Sequence, residues 1–493
     1  MTDFNSNKAE PRKGRMTKLA LGFAVLALSG CTMLIPDYQR PYAPVATDWP
    51  SGIEVRVDEQ NPSAARLPWY DFFVDDQLRQ LISLSLENNR DMRVAALNVE
   101  RAQAQFRIQR APQWPTLNVI LQDQRYSPNS VANTATYGVN ITSYEVDFFG
   151  RLQSLKEAAL AQYLATAEAR NTTQISLVSS VAMAYFGLLA DEELLKVTIE
   201  TLKTRENSLE LTKHMFDNGV VSELDLRQAE ELYESARATL AQVRRQRAMS
   251  MNTLVLLLGQ PALPEGLSLE RGLSGQQALL AAIPVGLPSD MLVNRPDIRS
   301  AEQQLIAANA NIGAARAAFF PRIVLTGTFG RSSGSLNDLF DDATRMWTFL
   351  PQITLPIFDA GTNRANLDIA KAEHKIAIAQ YESAIQSAFR EVADALAGTA
   401  TWEEQLRATR AQAEAANKTF ELSDMRYRNG VASYLDVLDA QRTLFLAQQG
   451  VIQAQLSQLQ NQITLYKSLG GGWQNQPATL AETQTVAGEA VAR

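Results

Sequence analysis

The chain has 493 residues, 20% of them charged and 46% hydrophobic, with a formal net charge of −7. That acidic balance leaves no basic patch for nucleic acid, and no nucleic-acid partner is expected. Two histidines, His214 and His374, and one cysteine, Cys31, rule out an internal disulfide and argue against a Cys/His metal site or a Cys–His nucleophile pair.

Arg12, Lys13, Arg15 and Lys18 precede an apolar run from Leu19 to Leu28, which continues into Leu28-Ser-Gly-Cys31. A basic start, a short apolar stretch and small residues before a cut describe a secretory signal over residues 1–30. The apolar run is too short to span a bilayer. The only cysteine falls at the cut, an arrangement that resembles a bacterial lipobox, so Cys31 is the expected site of lipid attachment. The plain alternative is a buried free thiol behind an ordinary signal. Thr32, where an Asp would retain such a lipoprotein at the inner membrane, resembles sorting to the outer membrane. Met16 is a second candidate start, because Lys18 alone still supplies a basic n-region. Residues 31–68, rich in Pro and polar side chains, read as an extended arm.

Helical spacing begins near Val74. A helix is predicted over Asn89 to Arg110, with Met92, Ala95, Ala96 and Val99 apolar and Pro112 just beyond its end. Two strands follow. Pro115 to Ser127 alternates Leu117, Val119 and Leu121 with Asn118, Gln122 and Gln124; Thr136 to Phe148 carries Tyr137, Val139 and Ile141, then shifts phase at Ser143 to Tyr144, Val146 and Phe148. Arg151 to Asp217 has no Pro and a single Gly, which predicts a helix on the order of 100 Å long at about 1.5 Å per residue. It ends at Asn218-Gly219. Ser222 then stands as an N-cap, with Asp225 three residues on, and a second helix runs to Leu258-Gly259. Residues 262–287 read as a loop-rich linker.

The pattern then starts again. Asp91-Met-Arg93 recurs as Asp297-Ile-Arg299, and Ala102, Ala104, Ala111 and Pro115 recur as Ala308, Ala310, Ala317 and Pro321. A second strand pair is predicted over Pro321 to Arg331 and Trp347 to Phe358, and a second long helix over Asn363 to Arg428. The device Asn218-Gly-Val-Val-Ser-Glu-Leu-Asp225 reappears 211 positions later, from 218 to 429, as Asn429-Gly-Val-Ala-Ser-Tyr-Leu-Asp436. Gly219 and Gly430 are the expected left-handed turn residues, and Ser222 and Ser433 the caps. The organisation predicted is therefore repeat 1 over 69–261, the linker 262–287, repeat 2 over 288–470, and a disordered tail over 471–493.

Each repeat offers two strands of about a dozen residues, slightly more than the roughly 9–11 that a tilted strand needs to cross a bilayer. Four strands cannot close a barrel, and a sheet in lipid cannot keep open edges. Strands that cross a membrane here require more than one copy: two give eight strands and three give twelve. The competing reading is a structural periplasmic coiled-coil lipoprotein decorated with small β pairs.

Leu287-Pro-Ser-Asp-Met-Leu-Val-Asn-Arg-Pro-Asp-Ile-Arg299 and Ala308-Asn-Ala-Asn-Ile-Gly-Ala-Ala-Arg-Ala-Ala-Phe-Phe-Pro321 resemble the signature of outer-membrane efflux lipoproteins of the TolC superfamily. So do the strand-to-helix junctions Val146-Asp-Phe-Phe-Gly-Arg151 and Leu355-Pro-Ile-Phe-Asp-Ala-Gly361, and Arg426-Tyr-Arg-Asn-Gly430 with Tyr434-Leu-Asp-Val-Leu-Asp439. The resemblance covers Trp69 to Gly470. It implies a mainly α chain with a small β part and a homotrimer forming a 12-stranded β-barrel continued by a periplasmic helical barrel. It further implies a passive exit duct that joins a periplasmic adaptor (membrane fusion protein) and an inner-membrane transporter of the resistance-nodulation-division type. Protein secretion of type I shares this fold. No enzyme activity and no cofactor are implied beyond a lipid on Cys31.

For the pore, the resemblance places Asp436 and Asp439 at the narrow entrance. Asp436, like Asp225, sits at the third helical position, where capping explains it as well as gating does. Asp439 lies beyond the capping turn, and its counterpart is Gln228. The resemblance also pairs Tyr427 with Asp225 in a lock that holds the tip shut. An arginine that contributes to the lock in one family member is Ala432 here, with Arg426 and Arg428 nearby.

Overall fold

The computed structural model describes residues 33–49, 67–127, 133–269, 272–273, 280, 294–341 and 344–473. The signal, Cys31, residues 50–66 of the arm, most of the linker and residues 474–493 lie outside the described residues. The elements run α1 (Trp69–Phe72), α2 (Asp76–Asn88), α3 (Arg90–Arg110), β1 (Leu117–Gln124), β2 (Thr134–Val146), α4 (Arg151–Asp217), α5 (Glu223–Leu258), α6 (Pro296–Ala317), β3 (Arg322–Ser333), β4 (Arg345–Thr354), α7 (Thr362–Arg428) and α8 (Tyr434–Ser468). The fold is mainly α with one small sheet. Helical spacing sets in earlier than Val74, with the single turn of α1. The last strand stops at Thr354, four residues short of the predicted Phe358. Pro356 has no N–H to give a ladder, and Ile357 and Phe358 stand exposed beyond the strand.

Two compact units cut across both repeats: residues up to Pro41 with Glu100–Ala165 and Ala301–Tyr381, and Tyr42–Val99 with Thr166–Ser300 and the chain from Glu382. The first unit holds the sheet, ordered β1-β2-β3-β4 and antiparallel throughout. Its register puts Val119, Val139, Phe329 and Trp347 in one row, and Asn118, Asn140, Thr328 and Thr348 in the next. Directly opposed residues share a face, so one face is apolar and the other polar. Phe329 and Trp347 on the apolar face are 74% and 75% exposed. A bulge explains the phase shift in β2: Ile141 pairs with Gly327 and Tyr144 with Leu325, so Thr142 and Ser143 together oppose Thr326. Ser143 takes φ 55°, and the apolar residues on either side of it stay on one face.

In the same unit the extended arm lies antiparallel along one face of α6. Arg316 donates to the Leu34 carbonyl at 3.1 Å, Asn309 to the Pro36 carbonyl at 2.8 Å, and Tyr38 and Arg40 both reach Glu302. Glu302, Asn309 and Arg316 are seven residues apart, two helical turns each. Gly313 admits the arm: a Cβ there would sit 2.5 Å from the Ile35 side chain.

The second unit contains the main core. Phe72 stacks on Tyr466 at 4.0 Å between ring centroids, beside Val181, Tyr185, Phe186, Leu189, Leu254 and Ile463, all essentially buried. Tyr185 donates to Asp75 at 2.9 Å and Tyr466 to the Leu67 carbonyl at 2.5 Å, so the large rings bury no unpaired hydroxyl. Arg295, buried, is met by Asp297 at 2.6 Å, Glu391 at 2.9 Å and the Ser468 carbonyl at 2.7 Å. Past the end of repeat 2, Gly471–Trp473 are packed rather than loose: Gln174 donates to the carbonyls of Gly472 and Trp473. Within α4 is a stretch long and apolar enough to cross a membrane by composition, but 67% of it is buried inside the chain. It is core.

Candidate functional site

The two helical hairpins end in the same backbone device. At the first, Gly219 (φ 72°) donates to the Phe216 carbonyl and Val220 to the Met215 carbonyl, both at 2.8 Å. At the second, Gly430 (φ 74°) donates to the Tyr427 carbonyl at 2.8 Å and Val431 to the Arg426 carbonyl at 3.0 Å. These reverse bonds satisfy the carbonyls a helix end leaves free, and they need the left-handed residue that glycine supplies. Both following helices open on a full capping box. The Asp225 amide donates to Ser222 Oγ and the Ser222 amide to Asp225 Oδ2 at 3.0 Å; Ser433 and Asp436 repeat the arrangement, with the return bond at 3.2 Å.

The hairpins meet over a small core of Ala229, Leu232, Tyr434, Val437 and Leu438. Tyr427 leans on it, its ring 5.1 Å from that of Tyr434. The Tyr427 hydroxyl points at Met215 Sδ, 3.6 Å away, while Asp225 is taken up by Ser222. Burial and then the nearby Asp225 carboxylate push the Tyr427 phenol above its ordinary pKa, against the Thr212 hydroxyl. It therefore remains a neutral donor at any pH near 7. Met215 and Thr212 are the neighbours of Tyr427 that motif reasoning missed. The only signal for them was the repeat itself, which sets Met215 opposite Arg426.

Asp436 and Asp439 are both exposed, and they line a cleft of about 710 Å³ with Arg426, Leu435, Thr419 and Thr443. Asp436 is held by its cap. Among the described residues, the side chains of Asp439 and Arg426 form no hydrogen bond or ion pair. Arg428 is paired with Asp424 at 2.9 Å. Arg426, not Arg428, is thus the cation that shares the cleft with the two carboxylates. His214 is exposed on α4; His374 is half-buried on α7, and burial lowers its pKa. No cluster of His, Cys, Asp and Glu able to hold a metal occurs among the described residues.

The profile of the family described as "Outer membrane efflux protein" matches residues 81–260 and again 287–471. The chain belongs to this family. It is an outer-membrane efflux channel and not an enzyme. The toluene efflux pump outer membrane protein TtgC of Pseudomonas putida is 47% identical over 473 residues, 94% of this chain and 97% of that protein. Outer membrane protein OprJ of Pseudomonas aeruginosa is 42% identical over 470 residues, 93% of this chain and 97% of its own length. Among solved structures, the open state of the MtrE outer membrane channel of Neisseria gonorrhoeae superposes with a TM-score of 0.81 at 39% identity, covering 90% of this chain and 99% of that one. A membrane protein from Pseudomonas aeruginosa gives 0.82 at 42% identity, covering 91% and 100%. The two matched segments of the efflux protein family each contain one strand pair and one capped hairpin.

Proposed function

We propose that three copies of this chain close into a single twelve-stranded barrel in the outer membrane, and that the helical hairpins line a passive duct on its periplasmic side. The sheet carries this reading. It has an apolar face turned to the outside and two strands, β1 and β4, that pair on one side only among the described residues. Unpaired edges are not tolerated in hydrocarbon, so β1 of one copy must continue the ladder of β4 in the next. The duct passes small apolar or drug-like molecules delivered by an inner-membrane transporter of the resistance-nodulation-division type through a periplasmic adaptor. TtgC bears toluene in its name, which fits such cargo. Cys31 carries the lipid that holds the arm to the membrane.

The gate lies at the tips. Three copies of Asp439, with Asp436 beside it, ring the aperture, and Tyr427, seated against Met215 with the Asp225 carboxylate nearby, holds it narrow. The test is reconstitution: detergent-purified protein has the mass of three chains by light scattering and conducts in planar bilayers. A conducting species of one or two chains would sink the proposal.

A further inference from the structure

Between the two hairpins, behind the tip, Arg205 on α4 is buried to 5% exposure with no acidic partner among the described residues. One of its terminal nitrogens donates to the Leu232 carbonyl of α5 at 3.1 Å, and its Nε is buried without any hydrogen-bond partner. The Phe445 ring of α8 lies 5.6 Å from the guanidinium. Burial lowers the Arg205 pKa, and the positive charge of Arg442 lowers it further. An arginine keeps its charge even so, and a buried charge is retained at great cost unless an opposite charge compensates it.

Next to this guanidinium is a cleft of about 190 Å³, lined by Thr201, Thr204, Asn417, Phe420, Gln441 and Phe445 among others. Its walls mix rings with hydroxyl and amide side chains. Gln441 turns its amide nitrogen to Ser208 at 3.2 Å, and its unpartnered carbonyl oxygen is an acceptor that gives an anion nothing, so the guanidinium alone carries the site. Glu200 stands exposed at the rim and forms no ion pair with Arg205. A fixed positive charge, the Thr201 hydroxyl and room for a small ion occur together here, with the exposed Arg442 of α8 adding to the positive field.

We propose that Arg205 anchors a site for a small monovalent anion of halide size, which neutralises the buried guanidinium and ties α4, α5 and α8 together two residues from Asp439. Chloride, abundant outside the inner membrane, has the size and charge required. The Phe420 and Phe445 rings give the cleft apolar walls beside the guanidinium, and a less polar surrounding strengthens such an attraction.

Crystals of the assembled, detergent-solubilised channel soaked in bromide should show an anomalous difference peak beside the Arg205 guanidinium, absent in Arg205→Gln. In solution, exchanging chloride for a bulky organic sulfonate at equal ionic strength should lower the thermal midpoint of the unaltered channel and leave that of Arg205→Gln where it was. Water alone in the cleft overturns the proposal, as does a carboxylate from a neighbouring copy seated on Arg205. So does an equal response to the exchange in both proteins, or a peak seen only at molar bromide without any chloride dependence of the midpoint. The bromide experiment on the unaltered protein decides the matter even if Arg205→Gln fails to fold.

Discussion

At the first hairpin Gly219 and Val220 close the helix on the carbonyls of Phe216 and Met215; at the second, Gly430 and Val431 close it on those of Tyr427 and Arg426. Both glycines have φ above 70°, and a Cβ added at either would meet nothing within 4 Å. The turns are thus required by backbone conformation, not by crowding. The side chains that the two copies present are different. Where the first tip carries Met215, Phe216 and Gln228, the second carries Arg426, Tyr427 and Asp439. Duplication preserved the means of turning the chain, while the side chains around the turns diverged: the first tip pairs Arg227 with Glu223 and Glu230, and the second carries Arg426 and Asp439. Shared residues therefore report on folding, and unshared ones are where a gate is to be sought.

The sharpest way to break this comparison is to exchange the one position that capping does not explain. Asp439→Asn should reduce the cation preference of the reconstituted channel several-fold and alter single-channel conductance, whereas Gln228→Ala should leave both unchanged. Equal effects at the two positions would remove Asp439 from the pore. A smaller effect is expected from the groups that hold the tips together. Tyr427→Phe combined with Asp225→Ala should raise the leak of the closed channel. Because Asp225 also caps α5, Ser222→Ala serves as the control that removes the cap alone. A leak no greater than in that control means the lock is held elsewhere. The smallest effect tests what the tips share: Ser222→Ala and Ser433→Ala should each destabilise by about 1 kcal/mol in thermal melts monitored by helicity. A clear inequality between them would show that one capping box also bears on assembly.

Much of the architecture was legible because its signals are local. A Pro-free run fixed the 67 residues of α4, and Gly followed by Ser-x-x-Asp marked both turns and caps. Period-two alternation found the strands, and the break at Ser143 was a bulge whose φ and register account for it. The end of β4 was overshot because apolar alternation continues through Ile357 after ladder pairing has stopped. Alternation reports a side chain's direction but not whether a partner strand is present.

The sequence by itself determined the duplication, the rods, the turns, the capping aspartates and the membership that its motifs suggested. Each of these depends on residues within one or two helical turns of each other, or on identity at a fixed offset. Only the tertiary structure decided which groups meet. It set Tyr427 against Met215, placed Arg426 in the cleft of Asp436 and Asp439, laid the arm on Glu302, Asn309 and Arg316, and buried Arg205 without a counter-charge. Apart from the Arg426 cleft, whose residues flank a single turn, such contacts join residues between 27 and 282 positions apart. Their geometry follows from how long helices pack against one another, and no spacing along the chain encodes it.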